Sequence, residues 1–389
     1  MQRGKKPRTE KKTFDATKTN PFMSNLLNGL FFLQVPWIFA SCLAADEDKK
    51  TVGLYTVAGM AFVFLSDFLS QHVGGFFSRT LLKSSPFDDP LSTPKTMTKF
   101  KSQMWQTIVH TCMFLTELTI IGQLKEGGED LIHDHHLAAD LLAPNPDLLH
   151  TLYLLQMAIW IVTAVHHIFV AEKQSDYLVM LGHHIATLTI IGISYKFGFL
   201  RYGLIILIIH DGSDILVDLL KTFNYLKLEG PRGFFLTELC FVGNLITWAY
   251  ARLWHFPRFV YYGNVKSIEA WGPLAYDWWD FKEGSGFASV GSAYNTKVQE
   301  GFLKHHENIG EGLQHSIKLA VIGTGVTAIL YVMHLYWFAL FLRIAVRLIK
   351  GEEETHDIGA DEYMGDSDED GDDEGKDKDK EKSGSKKKN

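Results

Sequence analysis

Residues 177–225 read YLVMLGHHIATLTIIGISYKFGFLRYGLIILIIHDGSDILVDLLKTFNY. Two apolar runs, about 177–197 and 202–225, are joined by a short turn around Phe197–Arg201. Each is long enough to cross a hydrocarbon core of about 30 Å as a helix. Yet His183 and His184 interrupt the first, and His210, Asp211, Asp214, Asp218 and Lys221 interrupt the second. An ionisable side chain facing lipid is costly, so these residues should face a protein interior, and they are functional candidates by default. If the runs form an antiparallel hairpin, His183 lies 16 residues before residue 199 and Asp214 lies 15 after it. Both then sit about 23 Å from the turn, with His210 and Asp211 about one turn closer. Asp211, Asp214 and Asp218 fall at i, i+3 and i+7, one helical face. His210 and Asp214 are i, i+4 neighbours on an adjoining stripe.

The rest of the chain agrees with a membrane setting. Its 389 residues have a mean hydropathy of zero despite 21% charged side chains, so the apolar residues must be concentrated. Further runs occur at about 22–43, 52–73, 103–123, 149–170, 234–261 and 317–349, which makes eight expected spans in an all-α membrane protein. The first is not a cleavable signal, since it starts late, is long, and is followed at once by another run. Arg3, Lys5, Lys6, Arg8, Lys11, Lys12 and Lys18 place the N-terminus in the cytosol, as Arg79, Lys83, Lys95, Lys99 and Lys101 do for the loop after span two. An even number of spans returns the C-terminus to the same side. Residues 1–21 are thus read as a basic cytosolic segment and 350–389 as an acidic, disordered cytosolic tail. Ser367, followed by Asp368, Glu369 and Asp370, is a candidate phosphorylation site, and Lys386-Lys387-Lys388-Asn389 resembles a dilysine retrieval signal. Cys42, Cys112 and Cys240 lie far apart in apolar runs, which argues against a disulfide framework or a thiolate metal cage.

A carboxylate bonded to one imidazole nitrogen fixes the tautomer and leaves the other nitrogen as base or nucleophile. No Gly-x-Ser-x-Gly elbow offers a serine, and no cysteine lies in the two central spans, so a histidine is the expected actor. The bland alternative is a buried His–Asp network that only pins two helices. A metal centre is the other. His166-His167, His183-His184 and His305-His306, with His133, His135 and His136, are numerous but lack the spacing that brings two imidazoles to one metal. No metal is expected, and His166 and His167 read as polar caps at the membrane interface.

These residues resemble the ceramide synthases of the TLC (TRAM-LAG-CLN8) domain group. Lys99-Phe100, Met104 and Trp105 look like the family's K-F-x-E-S-x-W entry, with Ser102-Gln103 where E-S would stand. Tyr153, Gln156 and Trp160 match its aromatic–glutamine span. Lys173 and Asp176-Tyr177 stand for R-K-D-[FY], with Gln174-Ser175 inserted. Met180, His183-His184, Thr187, Gly203, His210-Asp211, Ser213-Asp214, Lys221 and Asn224-Tyr225 fall in the spacing of the family signature, and Phe241, Arg252 and Pro257 match the following helix.

The resemblance implies a TLC domain over 99–349, preceded by two helices and a cytosolic loop in 22–98, as in fungal members. Six helices would surround an intramembrane tunnel. The implied reaction joins a fatty acyl group from acyl-CoA to the amino group of a sphingoid base, with His183, His184, His210, Asp211 and Asp214 as catalytic residues. His183 is the expected nucleophile, with Asp211 or Asp214 supporting His184 as base. Lys173, Lys221, Asn224, Arg252 and Trp160 are the substrate-binding candidates, and Lys227 and Arg232 add cationic groups near the cytosolic mouth. Acyl-CoA is then a substrate, and no cofactor is expected. The long loop 263–316, with Trp271, Tyr276, Trp278, Trp279 and Phe281, reads as a lumenal lid or as an aromatic interfacial belt. An endoplasmic-reticulum membrane location follows from the resemblance. So does a partner, either a second copy, a paralogue or a small regulatory subunit, and no nucleic-acid partner is expected. The rival reading is a non-enzymatic lipid-sensing or translocation-associated relative.

Overall fold

In lipid every backbone N–H and C=O needs an internal partner, so apolar runs of this length have to coil into helices. A computed structural model of the chain describes residues 21–43, 45–82, 89–124, 145–171, 176–197, 200–231, 233–261 and 309–350. Among them there are helices and no strand. In chain order they are α1 (Pro21–Trp37), α2 (Asp46–Leu69), α3 (Pro94–Gln123), α4 (Asp147–Phe169), α5 (Tyr177–Phe197), α6 (Leu200–Tyr225), α7 (Leu236–Thr247) and α8 (Ile309–Lys350). Wider π-helical turns lengthen three of them: Ile38–Cys42 after α1, Ser70–Gly74 and Ser78–Leu82 after α2, and Trp248–His255 after α7.

Each expected span has its helix. By length and composition the α1, α2, α4, α5 and α8 rods can cross a membrane. The chain is a multi-pass helical membrane protein. α3 starts earlier than its apolar run because Thr93 caps it, accepting from the Thr96 N–H at 3.1 Å, with Pro94 in the first turn. α8 likewise begins at Ile309, inside the stretch expected to be loop. The remainder of that loop, the basic N-terminal residues, Ser367 and the acidic tail lie outside the described residues. So do His133, His135, His136, His305, His306, Lys173 and Arg232.

Packing closes a ring. α3 packs on α6, α6 on α7, the α7 extension on α8, α8 on α5, α5 on α4, and α4 on α3. α1 lies against α5, and α2 against α4 and α3. Polar contacts fasten these two outer helices. Gln34 on α1 donates to the Ile185 carbonyl at 2.7 Å and to Thr189 Oγ1 at 2.8 Å. Tyr195 on α5 donates its hydroxyl to Asp48 Oδ2 on α2 at 2.6 Å. The outward faces carry Phe22, Leu33, Phe64, Phe68, Leu239 and Val332, all exposed, which is the surface a bilayer requires. Polarity is turned inward: Glu117, His183, His184, Asp211, Asp218, Arg252 and His334 are all buried. Gly203 allows one tight approach, since a Cβ there would overlap the Tyr153 hydroxyl, which donates to the Leu200 carbonyl at 3.0 Å.

Candidate functional site

The ring surrounds a chamber of about 140 Å³ to which all six helices contribute. α5 presents His183 and His184, and α6 presents Asp211, Asp214, Asp218 and Lys221. The π-helical extension of α7 adds Trp248 and Arg252, α4 adds Trp160, His166 and His167, α3 adds His110, and α8 adds Trp337. Beside it lies a narrower slot of about 30 Å³, walled by Thr187, Ile190, Ile191, Ile206, Leu207 and Leu330. Trp160 and Asp211 border both spaces, so the apolar slot adjoins the polar chamber.

The three α6 carboxylates sit on one face, as their spacing requires, but each reaches a different partner. Asp214 Oδ1 lies 2.5 Å from Arg252 Nη2. The same guanidinium donates through Nε to Ser213 Oγ at 2.7 Å and through Nη2 to the His210 carbonyl at 3.1 Å, and it lies 4.2 Å over the Trp248 ring. The π-helical stretch Trp248–His255 turns both Trp248 and Arg252 inward, and such widened turns recur at functional sites. Asp211 Oδ2 accepts from Gln156 Nε2 at 2.8 Å, and the same amide reaches Glu117 Oε1 at 3.1 Å. Because an indole N–H can only donate, the 3.0 Å contact of Trp160 Nε1 with Gln156 Oε1 fixes the amide's orientation. Asp218 accepts from His110 Nδ1 at 2.7 Å and from Gln103 Nε2.

The two α5 imidazoles are held differently. His183 stands edge-on between Trp160 and Trp337, with ring centroids 5.4 and 5.6 Å away. Trp337 donates in turn to Asp176 Oδ2 at 3.4 Å. His184 packs against Trp160 at 5.6 Å and His167 at 5.3 Å. The Nδ1 atoms of both are buried and have no hydrogen-bond partner among the described residues. Neither Asp211 nor Asp214 is bonded to His184, contrary to the expected support. Those carboxylates are taken by Gln156 and Arg252, and the imidazole–carboxylate contact forms at His110 instead.

His210 borders the slot and is absent from the chamber wall. Its Nδ1 donates to the Ile206 carbonyl at 2.7 Å, so its Nε2 is an acceptor, and His334 Nε2, 3.1 Å away, must supply the hydrogen. His166 and His167 are chamber residues rather than interfacial caps. His166 packs on Trp105 at 5.4 Å, and His167 stacks on Tyr177 at 4.7 Å while donating to the Tyr177 carbonyl at 3.1 Å. Of the substrate-binding candidates, Trp160, Lys221 and Arg252 line the chamber. Asn224 does not; its carbonyl caps the end of α6 by accepting from the Lys227 N–H at 2.9 Å. Among the described residues no group of three or more His, Cys, Asp or Glu side chains is arranged to hold a metal.

His110, Glu117 and His334 escaped the sequence reading, although the rule that singled out α5 and α6 applies equally to ionisable residues in α3 and α8. Gln103 was visible only as a departure from the E-S pair, and Trp337 carried no signal.

A lipid-facing shell around a buried chamber of histidine, aspartate and arginine defines a polytopic helical membrane protein with an internal polar site. The family model for the TLC domain (TRAM, LAG1, CLN8) matches residues 99–343, and the chain belongs to that family. It is 32% identical over 144 residues to ceramide synthase hyl-2 of Caenorhabditis elegans, covering 36% of this chain and 41% of that protein. It is 28% identical over 233 residues to the sphingosine N-acyltransferase-like protein FUM17 of Gibberella moniliformis, covering 58% and 56%. With ceramide synthase LOH2 of Arabidopsis thaliana it shares 24% over 307 residues, covering 77% and 88%. The chain thus spans about half the length of the first two relatives.

Proposed function

We propose that this protein is a ceramide synthase, transferring a fatty acyl group from acyl-CoA to the amino group of a sphingoid base. The observation that carries the reading is the pair of imidazoles on α5. His183 and His184 lie in the chamber wall with buried Nδ1 atoms that have no hydrogen-bond partner among the described residues, while the α6 carboxylates beside them are all engaged. Buried polar groups are ordinarily paired, and unpaired ones call for a functional explanation. With Nδ1 of His183 buried, its Nε2 is the nitrogen that takes the acyl group, and CoA leaves as the thiol. The apolar slot beside Trp160 suits an acyl chain, and Lys221 brings positive charge to the chamber for the CoA phosphates. Asp211, acting through Gln156, sets the Trp160 indole against both imidazoles, and Asp214 and Arg252 brace the facing wall.

The same reading puts the protein in the endoplasmic-reticulum membrane with both termini cytosolic, in keeping with the basic flanks and the eight spans expected from the sequence. A second copy, a paralogue or a small regulatory subunit belongs to it as partner. The test is N-acylation of a long-chain base by the full-length protein, supplied with a panel of acyl-CoAs, beside Asp214→Ala. Amide formation that depends on acyl-CoA and is lost in a folded Asp214→Ala variant is the expected result. A wild type inactive across the panel, in purified form and in native membranes, would favour a non-enzymatic role.

A further inference from the structure

Resting on the acyltransfer reading, we propose that His110 is the general base that deprotonates the incoming amine, with Asp218 and Gln103 as its positioning residues. A sphingoid base carries its amine as an ammonium near neutral pH, and an ammonium has no lone pair for attack. Some chamber group must therefore accept a proton, and an acylated His183 cannot be that group. Asp214 is tied to Arg252, and Asp211 to Gln156. His167 donates its Nε2–H to a backbone carbonyl and His184 Nδ1 has no partner, so neither imidazole has, among the described residues, a carboxylate to stabilise its cation.

His110 has what those residues lack. It is the chamber-lining histidine, among the described residues, whose ring nitrogen is hydrogen-bonded to a carboxylate. Asp218 is 4% exposed and both of its oxygens are occupied, Oδ2 by His110 Nδ1 at 2.7 Å and Oδ1 by Gln103 Nε2. The carboxylate holds the hydrogen on Nδ1, fixes the ring plane and stabilises the cation that forms on protonation. That leaves Nε2 without a hydrogen bond among the described residues, on a side chain that lines the chamber and is 18% exposed. The charged and titratable groups facing the same space are Asp211, Asp214 and Lys221 of α6, Arg252 of the α7 extension, His183 and His184 of α5, and His166 and His167 of α4. Gln103 stands where the related family pattern has a serine, so the dyad's anchor sits at a departure from that pattern.

The step balances. The ammonium gives one proton to His110 Nε2 and becomes an amine. Its lone pair attacks the acyl carbonyl carbon, the new C–N bond forms, and the bond from that carbon to His183 Nε2 breaks. The second amine proton goes to the departing imidazole nitrogen, restoring neutral His183. His110 then returns its proton to solvent.

Full-length His110→Gln and Asp218→Asn, in detergent or nanodiscs, would be assayed for two activities. One is exchange of labelled CoA into acyl-CoA, which needs His183 and the acyl-CoA site but no amine and no base for one, and so reports a folded site. The other is amide formation with a sphingoid base, measured against pH. His110→Gln should keep exchange within about 3-fold and lose about 100-fold or more of amide formation at neutral pH. The loss should shrink at alkaline pH, and it should be absent with hydroxylamine, an amine already unprotonated at neutral pH. Asp218→Asn should fall between the two in kcat at nearly unchanged KM. A His110→Gln variant with wild-type amide formation and an unchanged pH profile would overturn the proposal. So would an equal loss with hydroxylamine. A wild type that exchanges no CoA and forms no amide would instead remove the acyltransfer reading, which separates the two failures.

Discussion

The two central helices of the chamber are built on opposite rules. On α6, Asp211, Asp214, Asp218 and His210 each have a defined partner: Gln156, Arg252, the His110–Gln103 pair, and His334 with Ile206. On α5, His183 and His184 are wedged among aromatic rings and have no such partner. In a low-dielectric interior a paired group contributes shape and an unpaired one carries a desolvation cost. α6 is accordingly the frame of the site, and α5 carries the groups left open to substrate.

Substitutions should therefore affect the two walls differently. The largest effect is expected at His183. His183→Ala breaks no hydrogen bond to the described residues but opens a gap between Trp160 and Trp337, so unfolding in detergent should shift by no more than about 2 kcal/mol while N-acylation falls by about 1000-fold or more. Parallel losses of stability and activity would break the comparison. Arg252→Met should do the reverse first, leaving the partly buried Asp214 without its cation and destabilising the fold by about 3 kcal/mol, the low end for a broken buried pair. Combining it with Asp214→Leu should recover much of the unfolding temperature but none of the activity, a double-mutant cycle that separates frame from chemistry. A smaller cost, about 1–3 kcal/mol, is expected for His334→Leu, which strands His210 Nε2 as a buried acceptor. His334→Gln keeps a donor and should be milder in the same melting experiment. Smallest should be Gln34→Leu, which removes the α1 contact to the back of α5 and costs about 1 kcal/mol. A measurable drop in kcat there would show that α5 also relies on a helix outside the family-matched region.

Much of this was legible in the residues. Apolar runs of about 20 residues announced the helices, because lipid leaves a long apolar chain few alternatives. The His183-His184 and His210-Asp211-x-x-Asp214 spacing brought the two central helices to one chamber, with His210 turned to the adjoining slot. Pairing was not legible. Helical periodicity puts Asp211, Asp214 and Asp218 on one face but says nothing of which neighbour fills the space opposite, and that neighbour comes from α4, α7 and α3 respectively. The α3 and α8 contributions, His110 and His334, were written in the chain as ionisable residues inside apolar runs. Each is the lone histidine of its run, with no second histidine beside it to draw the eye. The widened turn that swings Arg252 inward has a mark in Pro257, which cannot donate to the Leu253 carbonyl, but a proline does not say which side chains the widened turn will aim at the chamber.

The account rests on an unpartnered imidazole taking the acyl group. Full-length protein incubated with acyl-CoA and no amine, then denatured rapidly and digested, would be mapped by mass spectrometry across the peptide holding His183 and His184. The account predicts one acyl mass on His183, absent from His183→Ala and discharged as amide when a sphingoid base is added before quenching. Sustained amide formation by His183→Ala, or an acyl group mapped to a different residue that turns over at the rate of the reaction, would contradict it.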